Sequence, residues 1–144
     1  FRDCGIALMM RRFRDYRETL RRANDNNERC FTNIELEHHP SNHAMVGCLL
    51  ARTWWLPEQS CLAIRHHHDI PAIAAGAVAL PRESAILIAI AQFAERALQL
   101  ESGLSRTAPY DDGVAVFYAF FDLCPDVFSD ALRIVPDIDA SAYL

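Results

Sequence analysis

The sequence predicts an all-α fold. Apolar residues recur at i, i+3 and i+4 along most of the chain, the spacing that builds one helical stripe. Period-2 alternation over four or more residues is rare. The breaks between apolar stretches are helix punctuation: Asn-Asp runs, cap-forming residues before an apolar run, and proline or glycine after one. The chain has 144 residues, 51% of them hydrophobic, which is enough for one domain with a core. A single helical domain over 1–144 is expected, with 136–144 fraying at its end.

The first predicted helix runs from about Asp3 to Phe13, with Ile6, Leu8, Met9, Met10 and Phe13 as its apolar residues. A second, from Arg14 to Ala23, sets Tyr16, Leu20 and Ala23 on one side and arginines on the rest. Asn24-Asp25-Asn26-Asn27 reads as a loop. Thr32-x-x-Glu35 has the form of a capping box, in which Thr32 caps the helix and Glu35 reaches back to its amide. That helix ends before Pro40. Ser41 or Asn42 caps the next, which runs to about Trp55 and carries Gly47 in its interior. A mid-helix glycine costs about 1 kcal/mol against alanine, and a close helix crossing is a reason to accept it.

Pro57 suits the first turn of the following helix, with Glu58 favourable at its positive end. Ile70-Pro71 stops it. Residues 70–82 read as an alanine-rich connection. A long helix follows from Arg82 to about Leu100, and Ser102-Gly103 stops that one. Two more are expected at about 114–123 and 125–134.

Composition narrows the function. The formal charge is −5, which argues against a nucleic-acid footprint over the whole chain. Charge is uneven, however. Residues 1–30 hold eight arginines against five acids, and the rest hold six against fourteen. The arginine run of Arg11, Arg12, Arg14, Arg17, Arg21 and Arg22 reads first as a solvated helix face offset by Asp15 and Glu18. The five cysteines are an odd, scattered set without a C-x-x-C pair, so a reducing cytoplasm is expected. The most apolar stretch, Ala85 to Ala91, is short of the roughly 20 residues of a membrane span. No phosphate loop, nucleophile elbow or dinucleotide fingerprint is present. Trp54-Trp55 reads as core packing plus an edge position.

The chemistry-bearing residues are histidines. His43 opens one predicted helix, and His66-His67-His68-Asp69 closes another. Neutral imidazole is a good ligand for divalent transition ions, usually beside a carboxylate. His43 with one or two of the three consecutive histidines, and Asp3 from a third helix, would make such a set. At most two of the three point into one pocket, because neighbours on a helix diverge by about 100°. The competing reading has these histidines cap helix ends and fill polar core positions, and it is the favoured one. His38 and His39, beside Pro40, read as solvent-exposed. Arg2 bears on the choice. Arginine keeps its proton and cannot ligate a cation. Next to Asp3 it places a fixed positive charge where an ion would sit, and it can hold that carboxylate by charge-assisted hydrogen bonds.

Read together, Phe1-Arg2-Asp3-Cys4-Gly5-Ile6, Glu37 with His43-x-x-x-Gly47, Trp54-x-Leu56-Pro57-Glu58 and Ala63-Ile64-Arg65-x-His67-His68-Asp69 resemble the HDOD domain, an HD-related output domain of bacteria. Ala89-Ile90-Ala91-Gln92-Phe93-Ala94-Glu95 is similar to that family's next helix. The resemblance implies an HD-like helical bundle, and it implies that the chain is the C-terminal part of a larger HDOD domain. It maps the His-Asp doublet of related cyclic di-GMP phosphodiesterases onto Arg2-Asp3, the next ligand onto His43, and the later pair onto His67 and His68. Two features depart from those enzymes: Arg2 replaces the doublet histidine, and Ile70-Pro71 stands where Gly-Tyr-Pro would follow.

The resemblance therefore implies a cytoplasmic signal-transduction module without catalytic residues. Its pseudo-site would be Arg2, Asp3, His43, His67 and His68, with no resident cofactor. It would act on a protein partner, an attached receiver or sensory domain, or a second copy of itself, and on neither membrane nor nucleic acid. The alternative is a metal-dependent phosphohydrolase of nucleotides or cyclic dinucleotides. It would use Asp3, His43, His67 and His68 to hold a divalent transition metal.

Overall fold

The computed structural model describes residues 1–26 and 29–102, with side chains through residue 95. Seven helices and no strand occur among the described residues: α1 (Cys4–Arg12), α2 (Tyr16–Asp25), α3 (Phe31–His38), α4 (His43–Thr53), α5 (Glu58–His66), α6 (Ile70–Ala74) and α7 (Arg82–Ser102). This is the all-α class the periodicity predicts. The expected helices at 114–123 and 125–134 and the frayed tail at 136–144 lie outside the described residues.

Helix α4 is the axis. It packs against α1 on one side and α5 on the other; α5 in turn carries α7, and α2 and α3 form a hairpin beside them. The face of α4 explains this placement. Ala44, Gly47, Cys48 and Ala51 are buried and small, so two helices can approach it closely. A Cβ on Gly47 would stand 3.1 Å from Ile64 Cγ2 and 3.3 Å from Cys4 Sγ, which is the tight crossing the sequence suggested. The partner glycine on α1 is tighter still. A Cβ on Gly5 would overlap the His43 carbonyl oxygen and lie 2.7 Å from Gly47 N. One core cluster joins Cys48, Ala51, Cys61 and Ile64 with Leu56 against it. A second joins Ala63, Ile70 and Ile88 beneath Ile73 and Leu80.

Several expectations need correction. In α1 only Gly5 and Met9 are buried, while Leu8 and Met10 stand exposed. Helix α2 buries Tyr16, Thr19 and Ala23, leaving Leu20 half-buried. It also runs through Asn24 and Asp25, so the loop begins later than composition suggests. Asn42, not Ser41, caps α4, its side chain accepting from Met45 N at 2.8 Å. Helix α5 stops at His66, four residues early, with His67 as its C-cap. Ile70-Pro71 then starts α6 rather than ending a helix, since proline is tolerated in a first turn.

The tryptophans are not core residues. Trp54 is 53% and Trp55 93% exposed. Trp55 also has φ of 59°, a left-handed backbone that bulky side chains seldom adopt. Among the described residues, no helix is long and apolar enough to cross a membrane.

Candidate functional site

The site forms where the start of α1, the N-terminus of α4 and the turn after α5 meet. The Gly5–α4 contact brings Asp3 over the first turn of α4, where His43 is buried. From the α5–α6 turn come His67, also buried, and His68, half-buried. Three imidazoles and one carboxylate converge. His43 Nε2 is 3.2 Å from His67 Nε2 and 3.2 Å from His68 Nε2. Asp3 Oδ1 is 3.5 Å from His43 Nε2 and 3.2 Å from His67 Nε2. One donor atom from each of the four residues lies within 4.8 Å of the others. The sequence predicted this convergence for Asp3, His43, His67 and His68, and two of the three consecutive histidines take part. The third, His66, turns away to Asp69 Oδ2 at 2.8 Å.

The other ring nitrogens are tied down. His43 Nδ1 sits 2.7 Å from Glu35 Oε2, and the His43 backbone N–H donates to Glu35 Oε1 at 3.2 Å. Glu35 Oε1 also accepts from the Tyr16 hydroxyl. Both Glu35 and Tyr16 are fully buried. His67 Nδ1 is 2.7 Å from the Ile64 carbonyl oxygen, which can only accept. That bond does satisfy an open helix end, so the capping role is half right: one nitrogen of His67 caps α5 and the other faces the site. Gln92 of α7 donates to the His67 carbonyl at 3.2 Å and fixes the turn from outside.

Glu35 was expected elsewhere. The capping-box reading assigns it to the α3 amide, yet Cys30 precedes that helix and no side chain caps it. Thr32 and Glu35 are both buried, on the face that meets α2 and α4. Glu37, the carboxylate in the family-like pattern, is exposed and pairs with Arg29. His39 is also corrected, being buried between Phe13 and Tyr16 and 2.9 Å from Thr19 Oγ1. Helical spacing was the available signal, since Thr32 and Glu35 at i, i+3 share a face.

Arg2 stays at the edge of the cluster. Its Nε donates to Asp3 Oδ2 at 3.1 Å, and an Nη donates to Glu95 of α7. Its other terminal nitrogen is buried without a partner. The guanidinium therefore claims the Asp3 oxygen that does not face the imidazoles. An apolar cleft of about 440 Å³ adjoins it, lined by Phe1, Leu56, Ile64 and Ile88 with Arg2 and His67 at one wall.

The charges agree with the geometry. Burial would raise the Asp3 pKa, but its contacts with His43 and His67 and the charge of Arg2 hold it far below the usual carboxylate range. Burial pushes the His43 pKa down, and its bonds to Asp3 and Glu35 outweigh this, leaving it raised. Burial, then the neighbouring His67 and His43, keeps His68 neutral well below the ordinary value. Burial and the Glu35 carboxylate keep the Tyr16 phenol protonated and donating.

A helical bundle that gathers imidazoles and an aspartate at one helix crossing has the build of an HD-like domain. The HDOD domain family model matches residues 1–70 of the chain. No curated protein and no solved structure matches the chain.

Proposed function

We propose that the chain is a bacterial, cytoplasmic signal-transduction output module whose histidine pocket does not hydrolyse phosphate esters. In this reading it works on a protein partner, such as an attached receiver or sensory domain or a second copy. The observation that carries it is the Arg2 guanidinium on Asp3 Oδ2 and Glu95. Two-ion phosphohydrolases place a second removable cation beside such a carboxylate. Here a permanent cation, unable to bind or polarise a water, stands on that side. The exposed Trp54 and Trp55 support a role in protein contact, because aromatic side chains at the surface favour partner interfaces.

The test is turnover of cyclic dinucleotides and nucleotides with manganese, iron and nickel each supplied. No turnover is expected. Turnover that disappears in His43→Ala would reverse the reading.

One observation favours the phosphohydrolase alternative: the convergence of three imidazole nitrogens and Asp3 Oδ1. Donor type fits a divalent transition ion, and so do the 3.2–3.5 Å separations of His43 Nε2 from His67, His68 and Asp3 and of Asp3 from His67. Ligands about 2.0–2.1 Å from one ion stand roughly 3.3 Å apart at tetrahedral angles. Asp3, His43, His67 and His68 would hold such an ion, which when bound would polarise an oxygen of a phosphate ligand. Arg2 would orient an anionic group at the cleft mouth, and Glu35 would keep His43 in place.

A further inference from the structure

We propose that Glu35, backed by Tyr16, and the Ile64 carbonyl set the tautomers of His43 and His67 so that the pocket binds one divalent transition ion. Glu35 and Tyr16 are positioning residues in this arrangement and touch no ion themselves. The proposal rests on pocket geometry and stands apart from the signalling reading.

The argument is a count of hydrogens. The Ile64 carbonyl can only accept, so His67 Nδ1 carries the hydrogen and Nε2 is left with a lone pair. Both Glu35 oxygens are taken by donors: Oε1 by the Tyr16 hydroxyl and the His43 amide, Oε2 by His43 Nδ1. A carboxylate held this way accepts from Nδ1 and leaves a lone pair on His43 Nε2. Two lone-pair nitrogens then face each other at 3.2 Å, beside an aspartate oxygen 3.2 Å from one and 3.5 Å from the other. Two acceptors at that separation form no hydrogen bond. The same separation is what two ligands on one small cation adopt.

Partners behind ligating histidines are what orient such rings, and removing one weakens metal affinity by about 10–100-fold. One ion is the limit. Asp3 has two oxygens, and Arg2 occupies Oδ2 at 3.1 Å.

The experiment uses the full chain, stripped with chelator and titrated with cobalt(II) under optical absorption. One equivalent per chain is expected, with the intense visible bands of a low-coordinate, nitrogen-rich site. Glu35→Gln offers His43 Nδ1 an amide N–H in place of an acceptor, which moves the ring hydrogen to Nε2. Cobalt(II) affinity should then fall about 10–100-fold. Tyr16→Phe should lower it by less.

A second readout does not involve metal. Nitrogen NMR of the stripped protein, at a pH where the rings are neutral, should place the His43 hydrogen on Nδ1 in the parent and on Nε2 in Glu35→Gln. Failure of the parent to take up cobalt(II) would overturn the proposal. So would unchanged affinity in a folded Glu35→Gln, or an Nε2 hydrogen on His43 in the parent. A chain that binds one cobalt(II) ion and hydrolyses nothing upholds this proposal and the signalling reading together. Hydrolysis with bound metal removes only the signalling reading.

Discussion

The pocket beneath α1 and the outer face of α2 are built from the same charged residue types, and they behave as opposites. On α2, Arg21 and Arg22 share Glu18, and Arg21 also reaches Asp25, all at i, i+3 or i, i+4 spacing. Every one of these groups is exposed. Each pair exchanges water for a partner of similar worth, so removing one costs little. In the pocket, Glu35, His43 and His67 are almost completely buried, and their side-chain polar atoms all have specified neighbours. Removing one leaves another stranded without water. The difference lies in burial, which turns a list of contacts into a network with a fixed geometry.

The sharpest way to break that contrast is Glu35→Ala. It strands the Tyr16 hydroxyl, the His43 amide and His43 Nδ1 at once. Loss of a partner in a buried charged network costs about 3–5 kcal/mol. Denaturant melts of the purified chain should show this as a large fall in midpoint. A fall no greater than that of an α2 variant would mean that the pocket is solvated and the contrast is false.

Next comes Gly5→Ala, which tests the helix crossing that holds Asp3 over His43. The new methyl has nowhere to go, since it meets the His43 carbonyl and Gly47 N, both backbone. Separating α1 from α4 should cost about 1–3 kcal/mol, the usual range for overpacking. The same melts measure it. If stability holds, the crossing is looser than the structure shows, and Asp3 is not fixed over the imidazoles.

The sequence revealed the pocket's inward-facing half and hid its supporting half. His43, His67 and His68 stood out because histidine is scarce in the chain, and Asp3 because it follows Arg2 in the family-like pattern. Glu35 did not, because a carboxylate three residues after a threonine is indistinguishable from a capping box until the helix start is known. Here the start falls two residues earlier than that box requires, at Cys30. Gly47 could be read because a mid-helix glycine asks for a reason; Gly5, near a helix start, asks for none. The tryptophans misled for a different reason. Apolar character predicts burial only when the backbone continues, and α4 ends at Thr53. The two tryptophans past that end stand exposed. His39 erred the other way: Pro40 suggested a loop, yet Thr19 and two aromatic rings enclose it.

A smaller effect belongs to Tyr16→Phe. It removes one donor to Glu35 and leaves the carboxylate with both His43 nitrogens. Loss of about 1 kcal/mol is expected, near the net worth of one buried hydrogen bond. Pairing this change with Glu35→Gln in a double-mutant cycle would separate the hydroxyl's share from the carboxylate's. Strict additivity of the two would argue against a coupled network.

The smallest effect is on α2 and comes from pH. Hydrogen bonds from Arg21 and then Arg22 lower the Glu18 pKa from 4.5 to about 2. Since the folded value is depressed, its stabilising share is complete above the unfolded value and fades as pH falls toward 2. Full exposure means that salt screens the same attraction. A carboxyl carbon NMR titration of Glu18 should therefore show a low midpoint in dilute buffer that climbs toward 4.5 in concentrated salt. Glu18→Gln should shift the melt by no more than its error. A midpoint that ignores salt would make the arginine face behave like the pocket, and burial would no longer be what divides them.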